Sequence, residues 1–243
     1  MISKLVRLHR RGLLGLAVKG EAGRRISWLG EKIGSPALIF NYYTYLAFHR
    51  GALETAPYTV DGIVQLYPAL REICDLGSGT GVYMDEFRKR GVQSEGYEYS
   101  ATARSIAKEN FGLEVRPFDI ANFGGSGRTY DACVSIEIAH YLPPVLGDRL
   151  VAICAESAPV VIFSAAHPGQ GGSGHVNGQP RSYWIERFAR HDMYRDEAKT
   201  AFLERHLRDN LVRGLWLADN ILVFERGRGV DVMRSESAER QCQ

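Results

Sequence analysis

An apolar run that breaks into alternating glycines is the feature of this chain that most narrows its fold. It reads Ile73-Cys74-Asp75-Leu76-Gly77-Ser78-Gly79-Thr80-Gly81. Glycines at every second position let the backbone turn sharply after a strand and approach a ligand with no side chain in the way. A nicotinamide-dinucleotide turn wants G-x-G-x-x-G, whose third glycine packs the helix on the strand. Counted from Gly77, that place is held by Val82. Asp75, two residues ahead of the first glycine, would face a pyrophosphate in such a turn; an acid there suits a cationic ligand. Taken alone, the run also fits an ordinary glycine turn.

The surrounding pattern alternates strand and helix. Strands are expected at Glu72–Leu76, Ser94–Tyr99, Val115–Phe118, Tyr130–Ile136, Pro159–Ser164 and Asn220–Arg226. Helices are expected at Val82–Arg90, Ala101–Phe111, Ser182–His191 and Glu197–Asp209. This order implies an α/β fold with a mostly parallel sheet covered on both faces, and a ligand at the carboxyl ends of the strands beside the switch point in strand order. A helix over Ala37–Leu53 carries Phe40, Tyr42, Tyr43, Tyr45 and Phe48. Ahead of it, Ile2, Leu5, Val6, Leu13, Leu16 and Ala17 share one helical face among basic residues. The expected organisation is a helical cap over residues 1–60, a catalytic domain over 61–226 and a frayed tail over 227–243.

Further acids follow at the expected places. Glu98 ends the second strand, where a carboxylate accepts both hydroxyls of a ribose. Arg116-Pro117-Phe118-Asp119 ends the third, and Tyr130-Asp131-Ala132-Cys133-Val134-Ser135-Ile136-Glu137 forms the fourth. In this order and spacing the chain resembles the class I S-adenosylmethionine-dependent methyltransferases. Their first motif, an acid before G-x-G-x-G, is matched by Asp75, Gly77, Gly79 and Gly81; their ribose acid by Glu98; the acid that meets the adenine amino group by Asp119; and their fourth-strand pattern by Tyr130, Asp131 and Val134. The resemblance covers roughly Ala69 to Arg226. It implies a Rossmann-like, seven-stranded sheet with an antiparallel last strand, S-adenosylmethionine as cofactor, and cofactor contacts that also include Ser78, Tyr99, Ile120, Ser135 and Glu137. Many relatives place Glu-His where this chain has His140-Tyr141, so no role carries over to that pair.

Methyl transfer to a hydroxyl needs alignment and a base of near-neutral pKa, which favours histidine. His140 follows the fourth strand, while His167 and His175 lie in the glycine-rich stretch after the fifth; His191 ends a helix and is set aside as a cap. His175, flanked by Gly174 and near Asn177, is the favoured base, ahead of His167 and His140. Tyr42, Tyr45, Tyr141, Asn177, Arg181 and Trp184 are expected to line the acceptor space. The loop's polar set points to a hydroxyl on a polar small molecule, a sugar among the candidates, with a small amine as the alternative. No carboxylate accompanies the loop histidines, so no metal is expected.

Composition removes other classes. Eight Lys or Arg against two Glu fall within the first 34 residues, so the rest of a chain of net charge +2 is slightly acidic. That argues against a broad nucleic-acid-binding face, as does the lack of a D/N-P-P-Y/F tetrad after the fourth strand. The basic amphipathic start offers at most weak contact with an anionic membrane surface, and a cofactor-binding membrane protein without turnover is the rival reading from another class. Cys74, Cys133, Cys154 and Cys242 show no metal or disulfide spacing, and a reduced, cytoplasmic protein is expected.

Overall fold

The computed structural model describes residue 23 and residues 25–227. The amphipathic start and the tail beyond residue 227 lie outside the described residues. Seven strands form one sheet: β1 Glu72–Leu76, β2 Gln93–Glu98, β3 Val115–Pro117, β4 Ala132–Ile136, β5 Val160–Ser164, β6 Met193–Arg195 and β7 Leu222–Arg226. Their order is β3-β2-β1-β4-β5-β7-β6. The first five run parallel, whereas β7 is antiparallel to both β5 and β6. The order reverses between β1 and β4, which opens a crevice at their carboxyl ends.

The central strands β1, β4, β5 and β7 are largely apolar because both faces are buried. Cys74, Leu76, Cys133, Val161, Phe163 and Phe224 pack on one face, with Leu150, Val151, Trp184 and Phe188. Ile73, Val134, Ile162 and Val223, of opposite parity, pack on the other with Val60, Ile63, Phe87, Leu203 and Leu217. The helices are α1 Pro36–Ile39, α2 Tyr42–Leu66, α3 Val82–Lys89, α4 Ala101–Phe111, α5 Pro144–Ser157, α6 Arg181–Ala189, α7 Glu197–Asn210 and α8 Trp216–Asn220.

Three differences from the sequence expectations have physical causes. The helix expected over Ala37–Leu53 is two helices. Asn41 stops one and caps the other, its side chain accepting from the N–H groups of Tyr43 (2.9 Å) and Thr44 (3.3 Å). The second helix does not stop near Leu53 but runs through Pro57 and through the boundary placed at residues 60 and 61. Buried Thr55, Ala56, Thr59, Val60 and Ile63 hold it against α3 and α7 despite the missing N–H. Helix α5 and strand β6 were absent from the expected elements. Replacing Asn41 by alanine is expected to lower stability by about 1 kcal/mol, read from the urea midpoint; an unchanged midpoint would show that the cap adds nothing.

Candidate active site

The glycine turn leaves β1 with three left-handed residues, Gly77 (φ 79°), Gly79 (φ 54°) and Gly81 (φ 77°). The N–H groups of Gly77 and Ser78 both donate to the Tyr97 carbonyl, at 2.7 and 3.0 Å, and tie the turn to β2. The glycines answer different needs. A Cβ on Gly77 would lie 2.5 Å from Ile138 Cγ1, whereas one on Gly79 would meet nothing within 4 Å. Gly79 therefore faces open space, as a turn that admits a ligand must.

Beneath it lies Asp75, buried, with Oδ2 lacking any hydrogen-bond partner. Burial, and secondly the neighbouring Glu98 charge, push its carboxyl up to about 8. The Ser78 hydroxyl is likewise buried and unpartnered. Unpaired buried acids are costly, and a cationic group removes the cost. Glu98, at the end of β2, accepts from the Gly79 N–H (3.0 Å) with Oε2 and from the Ser100 N–H (2.7 Å) with Oε1. Burial raises its pKa against the pull of these backbone donors.

The remaining cofactor candidates divide. Asp119 is exposed beyond β3 and closes its own turn, accepting from the Ala121 N–H (3.1 Å) and Asn122 Nδ2 (2.7 Å). Tyr99 is exposed and Ile120 buried. Ser135 is fully buried and donates to the Leu76 carbonyl (3.0 Å), joining β4 to β1.

Helix α2 roofs this end of the sheet. Tyr45 is hydrogen-bonded to Ser100, and burial, then Glu98, push its phenol up to about 12. One turn later His49 Nδ1 lies 2.9 Å from Thr80 Oγ1 inside the glycine turn, its ring stacked on Phe111. Sequence reading missed His49, which only the tertiary fold brings to the turn. Tyr42 is half exposed and packs edge-on to Tyr43.

Across the crevice, β4 ends in Glu137, which holds φ at 59°. Such a backbone costs a glutamate about 1–2 kcal/mol. Asp192, the other described non-glycine residue with positive φ, is exposed in a turn, where aspartate tolerates that conformation. Glu137 is held in place: its N–H donates to the Ser164 hydroxyl and carbonyl, each at 3.0 Å, and Oε1 accepts from Asn220 Nδ2 (3.0 Å). Burial pushes its carboxyl up to about 7, opposed by Ser164, Asn220 and His167.

The three histidines occupy different settings. His140 is buried, and its Nδ1 accepts from the Ala166 N–H at 3.0 Å. The neutral ring therefore carries its proton on Nε2. Burial, then the charge of His175, hold its pKa down to about 3. The His175 ring lies 4.2 Å from that of His140, with Nδ1 at 3.2 Å from the Gln170 carbonyl. Its Nε2 would be 2.3 Å from a Cβ on Gly172, so both nitrogens face their own loop. His167 is exposed, with Nδ1 2.9 Å from the Pro168 carbonyl. Tyr141 stands in an aromatic wall with Phe40 (5.3 Å), Phe48 (5.9 Å) and His175 (5.2 Å).

Three of the expected acceptor residues make contacts within the fold, each with one buried polar atom left without a partner: Asn177 Nδ2, Arg181 Nε and Trp184 Nε1. Trp184 is buried against Phe163. Asn177 is buried beside Gly147 and Trp184. Arg181 spans the Ile221 carbonyl (2.6 Å) and Glu204 (2.6 Å), pinning α6 to α7 and the start of β7. Among the described residues, no cluster of three or more His, Cys, Asp or Glu forms a metal site, and no helix is long and apolar enough to cross a membrane.

No protein-family model and no curated protein matches the sequence. Solved structures do match the fold. DesVI of Streptomyces venezuelae is 15% identical, with 75% of this chain and 97% of that chain covered at a TM-score of 0.59. CalS10 of Micromonospora echinaspora, an amino pentose methyltransferase with S-adenosylmethionine bound, is 17% identical over 75% of this chain and 96% of that chain, at 0.59. KedS8 of Streptoalloteichus sp. ATCC 53650, a sugar N-methyltransferase, is 16% identical over 75% and 92%, at 0.57. At these identities the likeness is one of fold: the chain has the Rossmann-like methyltransferase fold.

Proposed function

We propose that this chain is an S-adenosylmethionine-dependent methyltransferase acting on a polar small molecule. The observation that carries the reading is Asp75, a buried carboxyl whose Oδ2 has no hydrogen-bond partner, beneath a glycine turn that opens onto empty space. An acid so placed fits a ligand with a cationic end and repels a pyrophosphate. Glu98 would hold the ribose: each carboxylate oxygen has a second lone pair beyond those given to Gly79 and Ser100. Asp119 would meet the adenine amino group, as the resemblance implies. Bound there, the sulfonium supplies an electrophilic methyl group.

The chain's own part is then to align and enclose. Tyr45 and His49 of α2 would cover the turn and help to exclude water from it. The sugar methyltransferases among the similar folds support a small-molecule acceptor. The loop's polar set favours a hydroxyl acceptor; of the three candidate bases, His175 and His167 have Nδ1 beside carbonyls of their own loop, and His140 Nδ1 accepts from the Ala166 N–H.

Calorimetry should show binding of S-adenosylmethionine and S-adenosylhomocysteine and none of NAD. Glu98→Ala is expected to weaken the binding by roughly 1.5–3 kcal/mol, the range for hydrogen bonds to a charged group. Tight NAD binding, or unchanged affinity in the variant, would overturn the reading.

A further inference from the structure

The resemblance counts Glu137 among the cofactor contacts, but its hydrogen-bond partners lie toward β5 and α8. Its partners are Ser164 at the end of β5 and Asn220 of α8, and Asn220 Nδ2 also reaches Gln170 Oε1 (3.0 Å) in the loop after β5. Ser164 lies on β5, the neighbour of β4 farther from Glu98, while Ile138, next in the chain after Glu137, meets Gly77 of the turn. A left-handed backbone at a glutamate, braced by two neighbours, is the kind of arrangement that recurs where a side chain must be aimed. Tyr141, whose phenol feels the Glu137 charge, belongs to the aromatic wall with Phe40 and Phe48.

We propose that Glu137 is the acceptor-side carboxylate: it receives the acceptor as an ammonium ion against the rings of Tyr141 and Phe48 and takes one of its protons, which makes a small-molecule amine the methyl acceptor. This rests on the methyltransferase reading above. A carboxylate and ring faces both attract an ammonium ion, whereas a neutral alcohol offers the carboxylate only a hydrogen bond, without the ion pair or the cation–ring attraction. In the transfer, one N–H proton passes to the carboxylate, which becomes the neutral acid. The bonding pair stays on nitrogen as the lone pair an incoming methyl requires.

The energetics separate amine from hydroxyl. Burial has already raised the Glu137 carboxyl to about 7. A lysine-like ammonium lies roughly three pKa units above that, within reach of a catalytic base. A hydroxyl of water-like acidity lies roughly nine units above it, far outside. The groups facing Glu137 leave the role open to it. His140, with Nδ1 at 3.9 Å, is held neutral; His167 adds a favourable charge only when protonated; Tyr141 and Tyr83, which both feel the Glu137 charge, are held as neutral phenols by burial. None carries a permanent positive charge, so an arriving ammonium meets no fixed cation among them.

The test uses the full chain loaded with S-adenosylhomocysteine, screened by thermal shift against sugar-sized primary amines and their matched alcohols. Amines should raise the melting temperature and the alcohols should not. Glu137→Gln should keep S-adenosylhomocysteine affinity within about two-fold while binding the best amine at least about ten-fold more weakly. Loss of S-adenosylhomocysteine binding in a folded Glu137→Gln would assign the carboxylate to the cofactor and overturn the proposal. Equal stabilisation by alcohols, or none by any amine, would overturn it as well. Failure of the wild-type chain to bind S-adenosylhomocysteine would sink the methyltransferase reading instead. Glu137 is tested apart from it by carboxyl carbon-13 titration of the ligand-free protein, wild type against Glu137→Gln. The signal lost in the variant should titrate near neutrality, and a midpoint in the ordinary carboxylate range would overturn the proposal.

Discussion

Asp75→Asn is expected to stabilise the ligand-free protein at pH 8 and to leave it nearly unchanged near pH 4. The sign follows from the shift. The folded carboxyl is pushed up to about 8, against an ordinary value of 3.8. Between these values the unfolded chain has released its proton and the folded chain has kept it, so stability falls as pH rises through the window. Four units of separation set an upper bound of about 5 kcal/mol on the effect. Urea unfolding of both proteins at several pH values measures it, and parallel stability curves would refute it. The same variant should lose affinity for a cationic cofactor. Wild-type binding should also release a proton at pH 7, so the calorimetric heat should differ between phosphate and Tris buffers.

The two glycines of the turn should fail in different ways. Gly77→Ala places a methyl 2.5 Å from Ile138 at a φ of 79° and is expected to cost about 2–4 kcal/mol, strain and overpacking together. Gly79→Val faces open space, so it should cost only about 1–2 kcal/mol of strain, leave a native circular dichroism spectrum and abolish cofactor binding. Melting temperatures and calorimetry on both variants separate the outcomes. A Gly79→Val protein that binds normally would show that this turn does not cradle the ligand.

The fold was legible wherever the local pattern was long and both faces of a strand were buried. Strands β1, β4 and β5 are largely apolar runs, and α4 begins and ends where its cap signals fall, at Ser100 and Gly112. The three-residue strand β6 is too short for any period to emerge. Helix α5 did carry its signals, Pro144 at its first turn and Leu146, Leu150, Val151 and Cys154 at helical spacing, and they went unread.

The candidate site divides along the same line. Asp75, Gly77 and Gly79 come together because a turn of few residues leaves their relative positions little freedom, and the parallel pairing of β1 with β2 brings Glu98 beside them. His167, His175, Asn177, Arg181 and Trp184 sit on or beside a glycine-rich loop whose course only tertiary packing decides. Their polar and aromatic character, which suggested an acceptor contact, is largely taken up by loop carbonyls, Glu204 and the core. His49 and Asn220 had no sequence signal at all; each reaches the site from an element distant in sequence.

Because one unbroken helix carries Tyr45 and His49 at one end and Thr55, Ala56, Thr59, Val60 and Ile63 at the other, the roof of this site is not an interchangeable part. A chimaera joined at residue 60 would exchange Ala56, Thr59 and Val60 along with the roof, and would be judged first on whether its core closes. Altering what this site binds is therefore better attempted by single substitutions on the exposed and half-buried turns before Gly51 than by grafting a foreign segment.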